Sequence, residues 1–294
     1  MRLSPRLLIA GLGLAMLTPA CADEYVPRVI CHNANCLEPT NPDLDSTVES
    51  LEASLAMEDE DGRPFIDGME IDTFWYGDED RCLFAHDLLH PERAVDTHVA
   101  VDLINAHLSA RQAQGRPLTR RADTFSIFIE LKGHVGVAKD EKHSPEQLDA
   151  HVDCAVTMAE SLVENAARDG YGVEVVYMSF DPNLLLGLRN HPGFAALDAS
   201  PTHMKLAILQ GIPRPLDAQT LPLDEFPEEI GAGVVSVHPH WTRETDMNVY
   251  DSRGFELSFW MFDIVPETLQ QIHAHRPAYI TTSEARLMVA SLER

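Results

Sequence analysis

"MEIDTFWYGDEDRCLFAHD", Met69 to Asp87, decides how this chain is read. Its first half alternates: Met69, Ile71 and Thr73 fall on one side, Glu70 and Asp72 on the other. In a strand, residues i and i+2 point to the same face. Two carboxylates on one face repel each other and are costly to bury unless a positive charge sits between them. That face is therefore either wet or holds a cation. A second apolar run follows at once and ends on His86-Asp87. The stretch predicts a strand with core on one face and chemistry on the other.

Outward from it, β-type and helical runs alternate. Upstream, Val26 to Asn33 ("VPRVICHN") predicts a strand, and "DSTVESLEASLAME" predicts a helix capped by Asp45 or Ser46. Downstream come an amphipathic helix ending at Gly115, the strand "TFSIFIELKG", and a long helix. That helix has Ser144 as cap, Pro145 in its first turn, Gln147 closing a capping box and Gly170 as its stop. The strands "VEVVYMSF", "MKLAILQG", "GVVSVHPHW", "FELSFWMFDI" and "AYITT" then alternate with further helices, the last being "SEARLMVASLER". Setting "CLFAHD" aside, this makes about eight strand–helix units, which implies parallel strands and right-handed crossovers. The predicted fold is a closed (β/α)8 barrel of one domain. An open doubly wound sheet is the alternative. It would usually bring a glycine-rich phosphate loop, and the sequence has neither GxGxxG nor GxxxxGKS.

The totals narrow the function. With 294 residues, 45% of them hydrophobic, the chain can bury a sizeable core. The formal charge is −25, from 22 Lys and Arg against 47 Asp and Glu. That argues against nucleic acid, which needs clustered cations. It also argues against electrostatic docking on an anionic membrane, so at most peripheral membrane contact is expected. It is compatible with hard metal cations. Most of these carboxylates read simply as acidic solvated surface.

The N-terminus reads as an export signal over residues 1–22. Arg2 and Arg6 precede "LLIAGLGLAML", and small residues lead to cleavage after Ala22. The apolar run is too short for an ordinary span. Cleavage before Cys21 with lipid on that cysteine is the alternative, although Thr18 stands where a lipoprotein would carry Leu. Either way residues 23–294 form the mature domain, exported to a periplasm or beyond. Of five cysteines, Cys31, Cys36, Cys82 and Cys154 then remain, an even number suited to an oxidising compartment. Three pairings are open. Cys31–Cys36, closing a small loop around His32, is the first to test, and Cys82–Cys154 would follow. No CxxC suggests a thiolate metal site.

In such a barrel, functional groups sit at the C-terminal ends of strands. Those ends carry His32-Asn33, Glu70 and Asp72, His86-Asp87, Glu130 and Lys132, then Ser179, Lys205, His238 with His240, and late in the chain Trp260 and Asp263. Oxygen ligands from Asn33, Glu70, Asp72 and Glu130 suit Ca²⁺ or Mg²⁺. Imidazoles left off the metal are free for acid–base work. Lys132 shares a face with Glu130 and can offset a carboxylate or meet a phosphate. Singly, each has a bland reading: Glu-x-Asp is more often a solvated strand edge, and a lone His is more often structural. His134, His143, His151, His203, His273 and His275 are read that way. His238 and His240 lack a third ligand. The case rests on the ordered set.

That ordered set resembles the PLC-like phosphodiesterase superfamily, which includes the glycerophosphodiester phosphodiesterases and the phosphatidylinositol-specific phospholipases C. "GMEIDTFWYGDEDRCLFAHD" looks like the family's glycine, Glu-x-Asp and His-Asp segment. "IFIELKG" looks like its metal-Glu strand, "VVYMSFDPNLLLGLRNHP" like its Ser-Phe strand and helix, and "FELSFWMFDIVPETLQQIHAHRPAYITTSEA" like its closing strand–helix–strand. The resemblance implies His32 and His86 as general base and general acid. It implies Glu70, Asp72 and Glu130 on the cation and Lys132 on the phosphate. A hydrogen bond between Asp87 and His86 would fix the tautomer and orientation of that ring. The glycerophosphodiesterases usually show His-Arg-Gly at the first strand. His32-Asn33 is instead the form seen in calcium-dependent phospholipases C, where the Asn ligates the metal. With that Arg missing, Asn33, Lys132 or Lys205 must meet the phosphate. "DST", Asp45 to Thr47, stands where Glu-Asn-Thr is usual, and "TTS" stands for the closing Thr-Asp.

Together with the export signal, the resemblance implies an exported, metal-dependent phosphodiesterase using Ca²⁺, or alternatively Mg²⁺. Its substrate would be a glycerophosphodiester or a phospholipid headgroup ester. A calcium-dependent phospholipase C of the phosphatidylinositol type is the nearest alternative. From another class comes a catalytically silent cation-binding barrel at the cell surface. A glycosidase using Glu70 and Glu130 as its carboxylate pair would leave both His and Lys132 unexplained.

Overall fold

The computed structural model describes residues 25–38, 40–77, 79–86, 94–121, 124–132, 144–198, 203–210, 226–261 and 264–293. Its strands are β1 (Arg28–Cys31), β2 (Gly68–Tyr76), β3 (Arg81–Phe84), β4 (Val95–Asp96), β5 (Thr124–Leu131), β6 (Gly172–Ser179), β7 (His203–Gln210), β8 (Val234–Val237), β9 (Glu256–Met261) and β10 (Tyr279–Thr282). Among the described residues the helices are α1 (Val48–Leu55), α2 (Thr97–Ala113), α3 (Pro145–Asp169), α4 (Pro182–Asn190), α5 (Pro192–Asp198), α6 (Phe226–Ile230), α7 (Glu244–Ser252), α8 (Pro266–His275) and α9 (Ala285–Leu292).

Eight strands run parallel, in the order β1-β2-β5-β6-β7-β8-β9-β10, and β10 pairs back onto β1. The sheet is closed: a (β/α)8 barrel, not an open doubly wound sheet. β2 is long for a reason. Gly68 to Thr73 pair with β5 inside the barrel, while Thr73 to Tyr76 continue past the rim and pair antiparallel with β3. β3 in turn carries β4. This annex is the extra "CLFAHD" strand of the sequence, and it delivers His86 to the mouth.

Alternation along the strands produces two cores. Val29, Met69, Ile71, Ile127, Ile129 and Val175 face outward and pack under the helices. Ile30, Phe128, Val176, Ala207, Val234 and Tyr279 face inward and plug the barrel. Each fully buried Val, Ile, Met or Phe among them contributes roughly 1.5–3 kcal/mol. Gly68 sits where β1, β2 and β5 converge. A Cβ there would lie 2.2 Å from the Ser126 carbonyl oxygen and 2.6 Å from Ile30 Cδ1, so no side chain fits.

The long helix α3 is as expected, with a capping box between Ser144 and Gln147 and Gly170 in the left-handed conformation at φ 77°. α1 differs. Its cap is Thr47, which forms the box with Ser50. Asp45 and Ser46 are occupied elsewhere: Asp45 accepts from the Asn33 and Asn35 side chains, and Ser46 donates to Asp72. The first strand also stops earlier than expected, at Cys31, and His32–Ala34 form a single 3-10 turn. Cys31 pairs with Cys36, and Cys82 on β3 pairs with Cys154 on α3. No helix among the described residues is long and apolar enough to cross a membrane.

Candidate active site

The inward positions at the C-terminal end of the barrel build one cavity. β2 supplies Glu70 and Asp72, β5 supplies Glu130 and, one residue past its end, Lys132. His32 follows β1, and His86 follows β3 by two residues. Backbone bonds set their heights: Lys132 N–H donates to the Thr73 carbonyl at 3.0 Å, and Ala85 N–H donates to the Asp72 carbonyl at 3.3 Å. His32, Glu70, His86, Glu130 and Lys132 line one side of the cavity, and Met178, Phe180, Leu209 and Trp260 line an apolar wall. Its volume is about 600 Å³, open mouth included.

The three carboxylates are buried, and one oxygen of each lies within 4.8 Å of the others. The Lys132 ammonium is 2.9 Å from Glu130 Oε2 and 3.3 Å from Asp72 Oδ1. Ser46 donates to the other Asp72 oxygen at 2.9 Å. One ammonium does not balance three carboxylates. Burial, then the Asp72 and Glu130 charges, push the Glu70 carboxyl well above the usual carboxylate range. Burial also raises Glu130, against the pull of Lys132. Lys132 is held in its charged form, because Asp72, Glu130 and Glu70 outweigh its burial.

His32 lies beside this cluster, Nε2 4.0 Å from Glu70 Oε1, with Nδ1 3.2 Å from Ser283 Oγ. Burial brings its pKa down to about 4, with Asp72 opposing and Lys132 and His86 assisting. The ring is therefore neutral near pH 7.

The donor set fits a hard divalent cation. Glu70 Oε2, Asp72 Oδ1, Glu130 Oε1 and Asn33 Oδ1 are buried oxygens that accept no hydrogen bond. Buried acceptors left this way cost about 1–3 kcal/mol each, more when charged. Three carboxylates whose oxygens lie within 4.8 Å of one another are what Ca²⁺ or Mg²⁺ takes as ligands, and an amide oxygen is a ligand of the same hard kind.

No protein-family model matches the chain, and no curated protein matches it by sequence. Solved structures do match in fold. A glycerophosphodiester phosphodiesterase from Parabacteroides distasonis superposes at TM-score 0.56 and 16% identity, over 91% of this chain and 97% of that one. A phosphodiesterase from Oleispira antarctica, solved with its product sn-glycerol-3-phosphate, gives TM-score 0.56 and 13% identity over 92% and 98% of the two chains. One from Agrobacterium tumefaciens gives 0.51 and 14%, over 90% and 100%. The fold is that of the glycerophosphodiester phosphodiesterases.

Within this barrel, His32, Glu70, His86, Glu130 and Lys132 meet at one cavity, and Asp72 joins them through Lys132. Asn33 is adjacent rather than central. Its amide nitrogen donates to Asp45 at 3.2 Å, its backbone carbonyl accepts from Ser46 N–H at 2.7 Å, and Ser46 in turn holds Asp72. Lys205 is a correction. It lies near the start of β7, so it points into the opposite end of the barrel, where its ammonium meets Glu174 at 3.1 Å, Glu256 at 2.7 Å and the Tyr279 hydroxyl at 2.8 Å. It cannot touch a phosphate at the mouth. His238 stacks on Trp241, with ring centroids 3.8 Å apart, and His240 bonds Thr268 at 2.7 Å. His151 is a buried structural residue bonded to Thr73. Asp87, His134, His143 and Asp263 lie outside the described residues.

Sequence reasoning missed Ser46 and Ser283. Both lie in segments already set against the family's pattern, Ser46 in "DST" and Ser283 in "TTS", but neither was given a role in the site. Ser283 had one indirect pointer: the last strand of a closed barrel lies beside the first, so a polar residue just past it faces the first strand's end.

Proposed function

We propose that this protein is an exported, metal-dependent phosphodiesterase that hydrolyses a glycerophosphodiester or a phospholipid headgroup ester. The observation that carries this reading is the convergence of Glu70, Asp72 and Glu130 with His32, His86 and Lys132 on one cavity. Glu70, Asp72 and Glu130 would hold the ion, with Asn33 beside them, and Ca²⁺ is favoured over Mg²⁺ because an amide and several carboxylates suit its larger shell. When bound, the ion supplies charge neutralisation for the anionic diester. Lys132 adds a second positive charge for the phosphate oxygens. His32, neutral at working pH, accepts the proton of the attacking hydroxyl at Nε2, and His86 protonates the leaving alkoxide. The wall of Met178, Phe180, Leu209 and Trp260 excludes water and contacts the alcohol portion of the substrate.

The product sn-glycerol-3-phosphate of the Oleispira phosphodiesterase supports a glycerophosphodiester as substrate. Export is supported by the Arg2 and Arg6 leader and by two disulfides that use Cys31, Cys36, Cys82 and Cys154. The test is ³¹P NMR of the mature protein with glycerophosphocholine, glycerophosphoinositol, phosphatidylinositol and sphingomyelin, each with Ca²⁺, Mg²⁺ or EDTA. The expected result is a diester signal lost with metal and retained in EDTA. A cyclic phosphate product would mark the phosphatidylinositol type, a monoester the glycerophosphodiester type. No turnover alongside calorimetric Ca²⁺ binding would leave a silent cation-binding barrel.

A further inference from the structure

We propose that the Cys31–Cys36 disulfide and the Ser283 hydroxyl form a two-sided brace that positions His32, an inference that rests on the base role given to His32 above. Both are positioning groups and neither touches substrate.

The backbone side comes first. β1 ends at Cys31, and the chain must turn at once to keep His32 in the mouth. It does so with two successive non-glycine residues in the left-handed region, Asn33 at φ 50° and Ala34 at φ 55°. Asn tolerates that conformation, but Ala has no side chain to compensate its steric cost. Something outside the turn must hold Ala34 there. Its carbonyl accepts from the Ser54 hydroxyl at 3.0 Å, and that hydroxyl oxygen in turn accepts from Cys36 N–H at 2.9 Å. The Cys31–Cys36 bond then closes the turn covalently, with Cα atoms 5.7 Å apart. Loop-closure stabilisation grows with the logarithm of loop length. A bridge across a sequence separation of 5 therefore does far less for global stability than Cys82–Cys154 across 72. What the short bridge controls is the shape of the segment that carries the base.

The ring side comes from the other end of the chain. Cys31 is in register with Thr282 on β10, so the next residues, His32 and Ser283, lie side by side. Ser283 Oγ is 3.2 Å from His32 Nδ1. Thr282 Oγ1 accepts from Glu284 N–H at 3.1 Å and fixes the turn that carries Ser283. A base needs its lone pair at Nε2, the nitrogen facing Glu70. That tautomer places the proton on Nδ1, where Ser283 Oγ accepts it. The brace thus fixes both where the ring sits and which nitrogen is basic.

The test uses four variants of the mature protein: Cys31→Ala with Cys36→Ala, Ser283→Ala, Ser283→Thr, and His32→Ala. kcat and KM are measured on whichever diester the wild type turns over, singly and with each change placed in the His32→Ala background. The disulfide double variant and Ser283→Ala are each expected to lower kcat roughly tenfold to a hundredfold, since small misplacements of a reacting group cost that much, with KM shifted by less than about threefold. Ser283→Thr keeps the hydroxyl and is expected within about threefold of wild type. Neither loss should recur in the His32→Ala background, because the brace acts only through that ring. Wild-type kcat in both braced-side variants overturns the proposal, as do losses that repeat in full without His32. If the double cysteine variant does not fold, or the His32→Ala rate is too low to measure, the contrast between Ser283→Ala and Ser283→Thr decides. No turnover by the wild type sinks the phosphodiesterase reading and this inference together, whereas unbraced variants with full turnover sink this inference alone.

Discussion

The two ends of the barrel bury charge in opposite ways. At the floor, Glu174 is fully answered. Its Oε2 accepts from Arg28 at 2.5 Å, Ser126 at 2.9 Å and the Tyr279 hydroxyl at 3.0 Å, and its Oε1 faces Lys205 at 3.1 Å. Burial alone would raise its pKa, but Lys205 and Arg28 bring it below the ordinary value. At the mouth, three buried carboxylates face one lysine, and four buried oxygens accept no hydrogen bond. The same residue types, on the same inward positions of the same sheet, form a satisfied plug at one end and an unsatisfied cup at the other. Structural charge is matched inside the chain; the cup is matched only by something from outside it.

The strongest way to break this contrast is at the histidines. His32→Ala and His86→Ala are each expected to lower kcat about a thousandfold, within the usual range for a general acid or base. Thermal melts should stay near wild type. A diesterase rate that survives both changes removes the mouth's assigned chemistry.

The carboxylates offer the next test, because the two ends predict opposite signs. Glu174→Gln leaves Arg28 and Lys205 without their shared partner and should cost about 2 kcal/mol, discounted because both cations are partly exposed. Glu70→Gln relieves repulsion, so in EDTA it should melt higher than wild type, while calorimetry shows divalent affinity down at least about a hundredfold. pH sharpens this. The folded Glu70 carboxyl titrates above its unfolded value, so the folded state binds more protons and wild-type stability falls as pH rises through that window. Gln does not titrate, so the variant's advantage in EDTA should grow from pH 4.5 or so toward neutrality. Glu174 has the opposite sign: its contribution is present above the ordinary carboxylate range and is lost as pH falls through its lowered pKa. Urea melts across that range would read both.

The smallest effect expected is at Lys205. Lys205→Met should keep turnover within about threefold while lowering the melting temperature, since the residue stands at the floor. A large loss of kcat with unchanged stability would place it back at the phosphate.

Lys205 also shows what sequence could not tell. Alternation fixes which face of a strand a residue occupies, but Lys205 was read as standing at the mouth end of its strand. Height along the barrel depends on where the strand begins, and β7 begins only two residues earlier. Glu70 and Asp72 escaped this ambiguity because β2 starts at a glycine that nothing larger could replace. The closed barrel, the capping of α3 and, in the cavity lining, His32, Glu70, His86, Glu130 and Lys132 were legible from periodicity, caps and the ordered strand ends. The cap of α1 was not. Asp45 and Ser46 have the right chemistry for a cap, but the site uses them to hold Asn33 and Asp72. Local propensity gives way where a distant partner binds the same atoms more firmly. Ser283 was hidden by distance, for its contact spans 251 residues.

The closure of the barrel has a consequence for how the protein becomes active. β1 shares four register pairs with β10 and only two with β2. The first strand therefore waits for the tenth. A chain delivered N-terminus first can form its middle strands early, yet His32 has no settled place until residues 279–283 arrive beside it. Such long-separation pairing is slow to form. On the proposed reading, catalytic competence would then be the final event of maturation, and the chain would stay silent during synthesis and export without any inhibitor.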